Sequence, residues 1–252
     1  MYLLLIYILI PAVPLVIMPG YIRSGSISPY RTVLQAALIT TASAAAVLMA
    51  ASIMGDGLFG QLQVLAEDMA EQIGNAPMMA DAFDMAAMDE ADRVEMFRQL
   101  YEQAFAVLPA YVMVMSVVFA YLEYIILSKI MARRRSVNMM PPFREFSLPG
   151  GAMMGIVGMY LAAWILTEAG VFSNNMMYMN IDFLFDFAFS IQGVSVVLMF
   201  CHMKRLPKIL GAVAAVILWM TYIGKMFLVI IGMFDLMFNF KGRIQNTGRN
   251  IK

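Results

Sequence analysis

Apolar residues run nearly unbroken through positions 2–19, 33–55, 109–131, 149–169 and 181–201, while polar and charged residues gather in the gaps between them. The hydrocarbon core of a bilayer is about 30 Å thick, so a spanning helix needs roughly 20 mostly apolar residues, and these five stretches read as spans. Pro11 and Pro14 lie inside the first. They are tolerable in a membrane helix, where neighbouring groups satisfy the backbone carbonyls a proline frees. Pro109 falls in a first turn, where its missing N–H costs nothing. The last apolar region, 209–240, would be about 48 Å long as one helix, too long for a single upright crossing. Gly224 and Lys225 interrupt it, and the pattern predicts two shorter segments, 206–223 and 226–238, the second re-entrant or interfacial. The expected fold class is all-α, a polytopic transmembrane helical bundle with six or seven hydrophobic segments.

Composition supports a membrane protein. The 252 residues are 62% hydrophobic and 13% charged, against roughly 25% charged in soluble domains. Acids and bases balance in number but are segregated along the chain. Basic residues follow the first span (Arg23, Arg31), the third (Lys129, Arg133, Arg134, Arg135, Arg144) and the fifth (Lys204, Arg205, Lys208). Lys and Arg in short loops mark the cytoplasmic side. The cluster at Arg133, Arg134 and Arg135 is therefore a topology signal, and without aromatic interleaving or a basic fold it does not predict nucleic-acid binding. Residues 56–104 carry eleven acids against Arg93 and Arg98 and are predicted to face outward. The tail, 241–252, is basic and predicted cytoplasmic. Met1 to Met18 has neither a basic n-region nor a small-residue cleavage site and reads as a span rather than a signal peptide. The expectation is one integral domain over 1–252, multi-pass in a bacterial plasma membrane.

The outward insertion has helical periodicity of its own. Leu58, Leu62, Leu65, Met69 and Ile73 form one stripe, with Glu67, Asp68 and Glu71 off it. Asp89 is placed to cap a second helix carrying Val94, Phe97, Leu100 and Tyr101. Two amphipathic helices broken at 74–77 follow, either a solvated cap or a lid over an outward pocket.

Ionisable groups within a bilayer cost roughly 2.5–3.5 kcal/mol at its centre and so call for an explanation. Asp182 and Asp186 stand four apart, on one helical face. Glu168, Asn174, Asn175 and Asn180 lie near them in sequence, and Gln192 lies deeper. Together they outline a ligand-binding pocket suited to a cationic or polyhydroxylated molecule or a hard cation; alternatively, the acids mark the headgroup level. Glu123, between Tyr121 and Tyr124, and Lys225 would form an intramembrane charge pair, unless Lys225 snorkels to an interface.

Small residues recur at close-packing intervals: Ala42, Ala46 and Ala50; Gly151 and Gly155; Gly211 and Ala215. Such spacing serves helix packing within the chain or docking of a partner membrane subunit. The 27 methionines include outward Met78, Met79, Met176, Met177 and Met179, types that suit Cu(I), but enrichment across all spans indicates a general core filler. One cysteine, Cys201, excludes an internal disulfide and a Cys-based zinc site, and no metal or other cofactor is expected. The chain has no phosphate-binding glycine loop, no HExxH, no nucleophile elbow and a single histidine, His202, so no enzyme activity is expected.

Three stretches, "PPFREFSLPGG", "NIDFLFDFAFSIQGVSVVLMF" with "CHMKRLP", and "IGMFDLMFNFKGR", resemble the YybS-like family of uncharacterised bacterial polytopic membrane proteins. The fold of that family is similar to the substrate-binding components of energy-coupling-factor vitamin transporters. The resemblance implies a small bundle with an outward-facing site for a vitamin-like molecule or a metal ion, partnered by an ATPase module. Such components usually begin inside, whereas the first span here is predicted to run inward. The function expected is a substrate-binding or transport-associated component; the rival is a membrane scaffold or regulator that binds partner membrane proteins.

Overall fold

A computed structural model describes residues 2–25, 27–53, 58–74, 76, 88–133, 137–170 and 176–241. The described residues form helices and connecting turns, with no strand among them. Four helices are long and apolar enough to cross a membrane: α1 (Tyr2–Ser24), α2 (Pro29–Ile53), α5 (Leu108–Ala132) and α7 (Met176–Met203). Helix α6 (Ala152–Glu168) is apolar but shorter, and α8 (Lys208–Met220) with α9 (Tyr222–Phe238) forms a pair bent by 109° that qualifies only when taken together. Two further helices, α3 (Leu58–Gly74) and α4 (Glu90–Ala106), make up the acidic insertion. The chain divides into two compact units, residues 1–138 and 139–252.

In the first unit α1, α2 and α5 share an apolar core of Ile6, Ile10, Ala44 and Val112. Helix α1 absorbs Pro11, Pro14 and Pro19 without a break. Two buried hydroxyls are satisfied inside their own helices: Thr40 donates to the Ala36 carbonyl at 2.8 Å and Ser116 to the Val112 carbonyl at 2.7 Å. This local back-bonding lets polar side chains sit in an apolar bundle without orphaned donors. Tyr124, also buried, donates from its hydroxyl to the Asn138 carbonyl at 2.8 Å and ties the chain after α5 back to that helix.

Helices α3 and α4 pack on each other. The buried stripe of α3 is Leu62, Ala66 and Ala70, with Met69 and Ile73 partly covered, whereas Leu65 of the predicted stripe is exposed. Leu62 packs on Phe105 of α4, and the rest of the buried stripe is small alanines. On α4 the predicted Phe97 is buried and Leu100 exposed. Asp89 caps α4 as its position suggests, accepting from the Glu90 N–H at 2.8 Å. Gly74 ends α3 against Val94, where an added Cβ would lie 2.9 Å from the Val94 Cα, and Arg93 Nε donates to the Gly74 carbonyl at 3.2 Å. That bond satisfies one of the carbonyls a helix C-terminus leaves open.

In the second unit α7 is the central element. Helix α9 crosses it at two glycines: a Cβ on Gly193 would overlap the Leu228 carbonyl, and a Cβ on Gly232 would overlap the Phe189 carbonyl. Only residues without side chains permit backbones to approach this closely. The break between α8 and α9 falls at Thr221, three residues before the predicted interruption at Gly224. Thr221 has extended backbone (φ −97°, ψ 140°), its Oγ1 accepts from the Gly224 N–H at 3.2 Å, and it is the N-cap of α9. A capping side chain, not the glycine or the lysine, sets the corner.

Candidate functional site

The polar side chains of α7 fall into two groups. Near its start Asp182 accepts a hydrogen bond from the Tyr160 hydroxyl of α6. One turn further, Asp186 Oδ2 lies 3.1 Å from Lys225 Nζ, in the first turn of α9. Both members of that ion pair are part-exposed, with side-chain exposures of 38% for Lys225 and 46% for Asp186, so its stabilising contribution is small. Asn180 Nδ2 donates to the Met176 carbonyl at 2.7 Å. Glu168 is exposed at the end of α6. Asn174 and Asn175 lie outside the described residues, as do Arg134 and Arg135; Arg133 caps α5.

The second group is buried. Gln192, fully covered on α7, donates from Nε2 to Asp235 Oδ2 at 2.6 Å and accepts from the Leu148 N–H at 2.9 Å. Asp235 on α9 accepts at Oδ1 from the Lys241 N–H at 2.8 Å. The Lys241 ammonium lies 3.4 Å from Asp235 Oδ2, donates to Ser195 Oγ at 3.0 Å and reaches the Phe146 carbonyl. Ser195 donates in turn to the carbonyls of Arg144 and Phe146, at 3.1 and 2.8 Å. Burial pulls the Lys241 ammonium below the usual lysine range, and Asp235 pulls it back up. A buried charge is sustained only when paired and hydrogen-bonded, and here carboxylate, amide, hydroxyl and carbonyls close around it.

Gln192 therefore belongs to the inner lock and not to the group with Asp182 and Asp186. Lys225 pairs with Asp186 rather than with Glu123. Glu123 is buried on α5 in the first unit, its Oε2 without a hydrogen-bond partner among the described residues. Of the small-residue positions, Gly211 and Ala215 are buried, with Gly211 against Cys201 of α7. Ala42, Ala46 and Ala50 are exposed, since α2 packs through Val33, Ala36, Ala37, Thr40 and Ala44 instead. Gly151 and Gly155 face open space.

Asp235, Ser195 and the inward role of Lys241 escaped sequence reasoning. One signal was available: an aspartate alone in the run "IGMFDLMFNF", with a lysine six residues on. The three stretches that carry the family resemblance are those that meet in this lock: Arg144, Phe146 and Leu148 from the first, Gln192 and Ser195 from the second, Asp235 and Lys241 from the third.

No solved structure matches the chain. It is similar to the uncharacterized protein YybS of Bacillus subtilis (strain 168), with 27% identity over 142 residues. The alignment takes in 54% of this chain and 44% of that relative, so less than half of the relative's length is represented. A family of predicted membrane proteins, DUF2232, matches residues 1–236. With nearly its whole length matched, and with helices long and apolar enough to span a bilayer, the chain belongs to the DUF2232 family of membrane proteins.

Proposed function

We propose that this multi-pass protein of the bacterial plasma membrane is a binding component for a small cationic or polyhydroxylated molecule, recognised at the Asp182 end of α7. The observation that carries the reading is the pair Asp182 and Asp186, four residues apart and both solvent-accessible, held by Tyr160 and Lys225. Two carboxylates opposite one ammonium leave a net negative charge, and a cationic ligand would compete with Lys225 for Asp186. The hydroxyl of Tyr160 provides a partner for a hydroxylated ligand. The YybS-like resemblance implies a fold like that of the substrate-binding components of vitamin transporters, and on that reading a separate ATPase module is the partner.

The test is thermal-shift and native mass spectrometry screening of the purified chain over vitamins and cations. A stabilising ligand should emerge, and D182N/D186N should abolish its effect. Absence of any ligand, together with an unchanged phenotype in cells carrying the double variant, defeats the reading.

A scaffold role is favoured by a different observation, the exposure of Ala42, Ala46 and Ala50 on α2. Recovery of a signalling or cell-envelope protein that is lost in A42L/A46L would support it, whereas co-purification of an ATPase pair would support transport.

A further inference from the structure

At the far end of α7 the chain turns sharply into α8 around a built concavity. The Arg205 N–H bonds to the His202 carbonyl at 3.1 Å and the Leu206 N–H to the Cys201 carbonyl at 3.0 Å, a Schellman closure with Arg205 at φ +56°. Glycine is the usual residue there, because a side chain in the left-handed region is strained. Beside this turn lies a concavity of about 160 Å³. Its floor includes Leu198, Cys201 and Gly211, and its rim carries Arg144, His202 and Lys208. Gly211 keeps α8 close to α7, since a Cβ there would meet the Cys201 Cβ at 3.2 Å. Pro207 gives no side-chain cap to α8, so the first N–H groups of that helix add positive potential beside Lys208.

Arg144 is not a loose surface side chain. Its carbonyl accepts from Ser195 of the buried lock, and Phe143 and Phe146 stack on either side of it in sequence, their centroids 5.6 Å apart. Glu145, its acidic partner among the described residues, stands at 3.8 Å and leaves the guanidinium able to bind another anion. The lining of the concavity also includes the apolar side chains of Phe143, Leu198 and Leu206, the last of them exposed.

We propose that this concavity binds the phosphate of an anionic phospholipid headgroup, with the apolar part of the lipid against Phe143, Leu198 and Leu206. The ligand chemistry is a phosphate anion joined to apolar chains. Sites that engulf a whole drug-sized molecule start at roughly 300 Å³, so this one fits a headgroup. Basic residues clustered at the end of a spanning helix are placed at headgroup depth, where they attract anionic lipid. The apolar lining distinguishes a lipid from free phosphate, which would gain nothing from it.

The full chain, purified in detergent, is tested by native mass spectrometry and thermal unfolding with phosphatidylglycerol, phosphatidylcholine or inorganic phosphate. Phosphatidylglycerol should be retained and should raise the melting temperature, with phosphatidylcholine and inorganic phosphate doing neither. The variant R144Q/H202Q/K208Q should lose retention by at least about tenfold, while R23Q/K129Q keeps it. Should the triple variant fail to fold, K208Q, at an exposed helix start, should show a smaller loss in the same direction. Equal retention of the two lipids, unchanged retention in the triple variant, or equal loss in R23Q/K129Q overturns the proposal. Stabilisation by inorganic phosphate as large as that by phosphatidylglycerol overturns the lipid assignment in favour of a soluble anion.

Discussion

Lys241 folds back on Asp235, six residues earlier, with its backbone N–H 2.8 Å from Oδ1 and its ammonium 3.4 Å from Oδ2, both side chains almost wholly buried. The same two residues contact α7 through Gln192 and Ser195. Removing one partner of a buried pair strands the other charge, which costs about 3–5 kcal/mol, more than replacing both. D235A is therefore expected to lose stability in that range, and D235A/K241M to lose less than the sum of D235A and K241M. Chemical or thermal unfolding in detergent measures the cycle; additive losses would show that the two residues act independently.

The glycines at the α7–α9 crossing and those of α6 should respond oppositely to alanine. Gly193 and Gly232 abut carbonyls of the facing helix, so G193A and G232A should each cost about 1–3 kcal/mol or more through overpacking. Gly155 and Gly158 have nothing within 4 Å, and alanine there should be neutral or stabilising, since glycine is the poorer helix former. Melting temperatures of the four variants decide; equal effects at the two sites would contradict the close crossing.

Acid should weaken α4 only at low pH. Hydrogen bonds from Arg98, then Gln99, hold the Glu95 carboxyl at about 2 instead of the ordinary 4.5. A carboxyl depressed in the folded state contributes its stabilisation in full above the unfolded value and loses it as pH falls through the folded one. The stabilisation from the Glu95–Arg98 bond should therefore be intact at pH 5 and fall away between pH 4.5 and 2, with the bond itself breaking only near pH 2. A carbon-detected NMR titration of Glu95 should give a midpoint near 2, rising toward 4.5 in R98A; a midpoint unchanged by R98A would sever the link.

The spans were legible because burial in a bilayer demands long apolar runs, and α2, α5 and α7 lie close to where hydropathy alone puts them. Local chemistry was read less well. The corner between α8 and α9 depends on the side-chain oxygen of one threonine, and neighbouring Gly224 and Lys225 are the more conspicuous interruptions. On α3 the buried stripe runs from Leu62 through Ala66 and Ala70, one position beyond the predicted Leu65 and Met69. On α2 it runs through Ala36, Ala37, Thr40 and Ala44, two positions from the predicted Ala42 and Ala46, because which face packs is set by the neighbouring helix and not by spacing within one. Asp182 and Asp186 were visible as ionisable residues in an apolar run. Their partners were not, since Tyr160 and Lys225 come from other helices, 22 and 39 residues away.

Because Lys241 grips Phe146 and Ser195 while Ser195 grips Arg144, the beginning of the second unit and its last described residue meet at a single clasp. Traction on the chain just beyond Lys241 would be delivered directly to residues 144–146, without having to travel through the intervening helices.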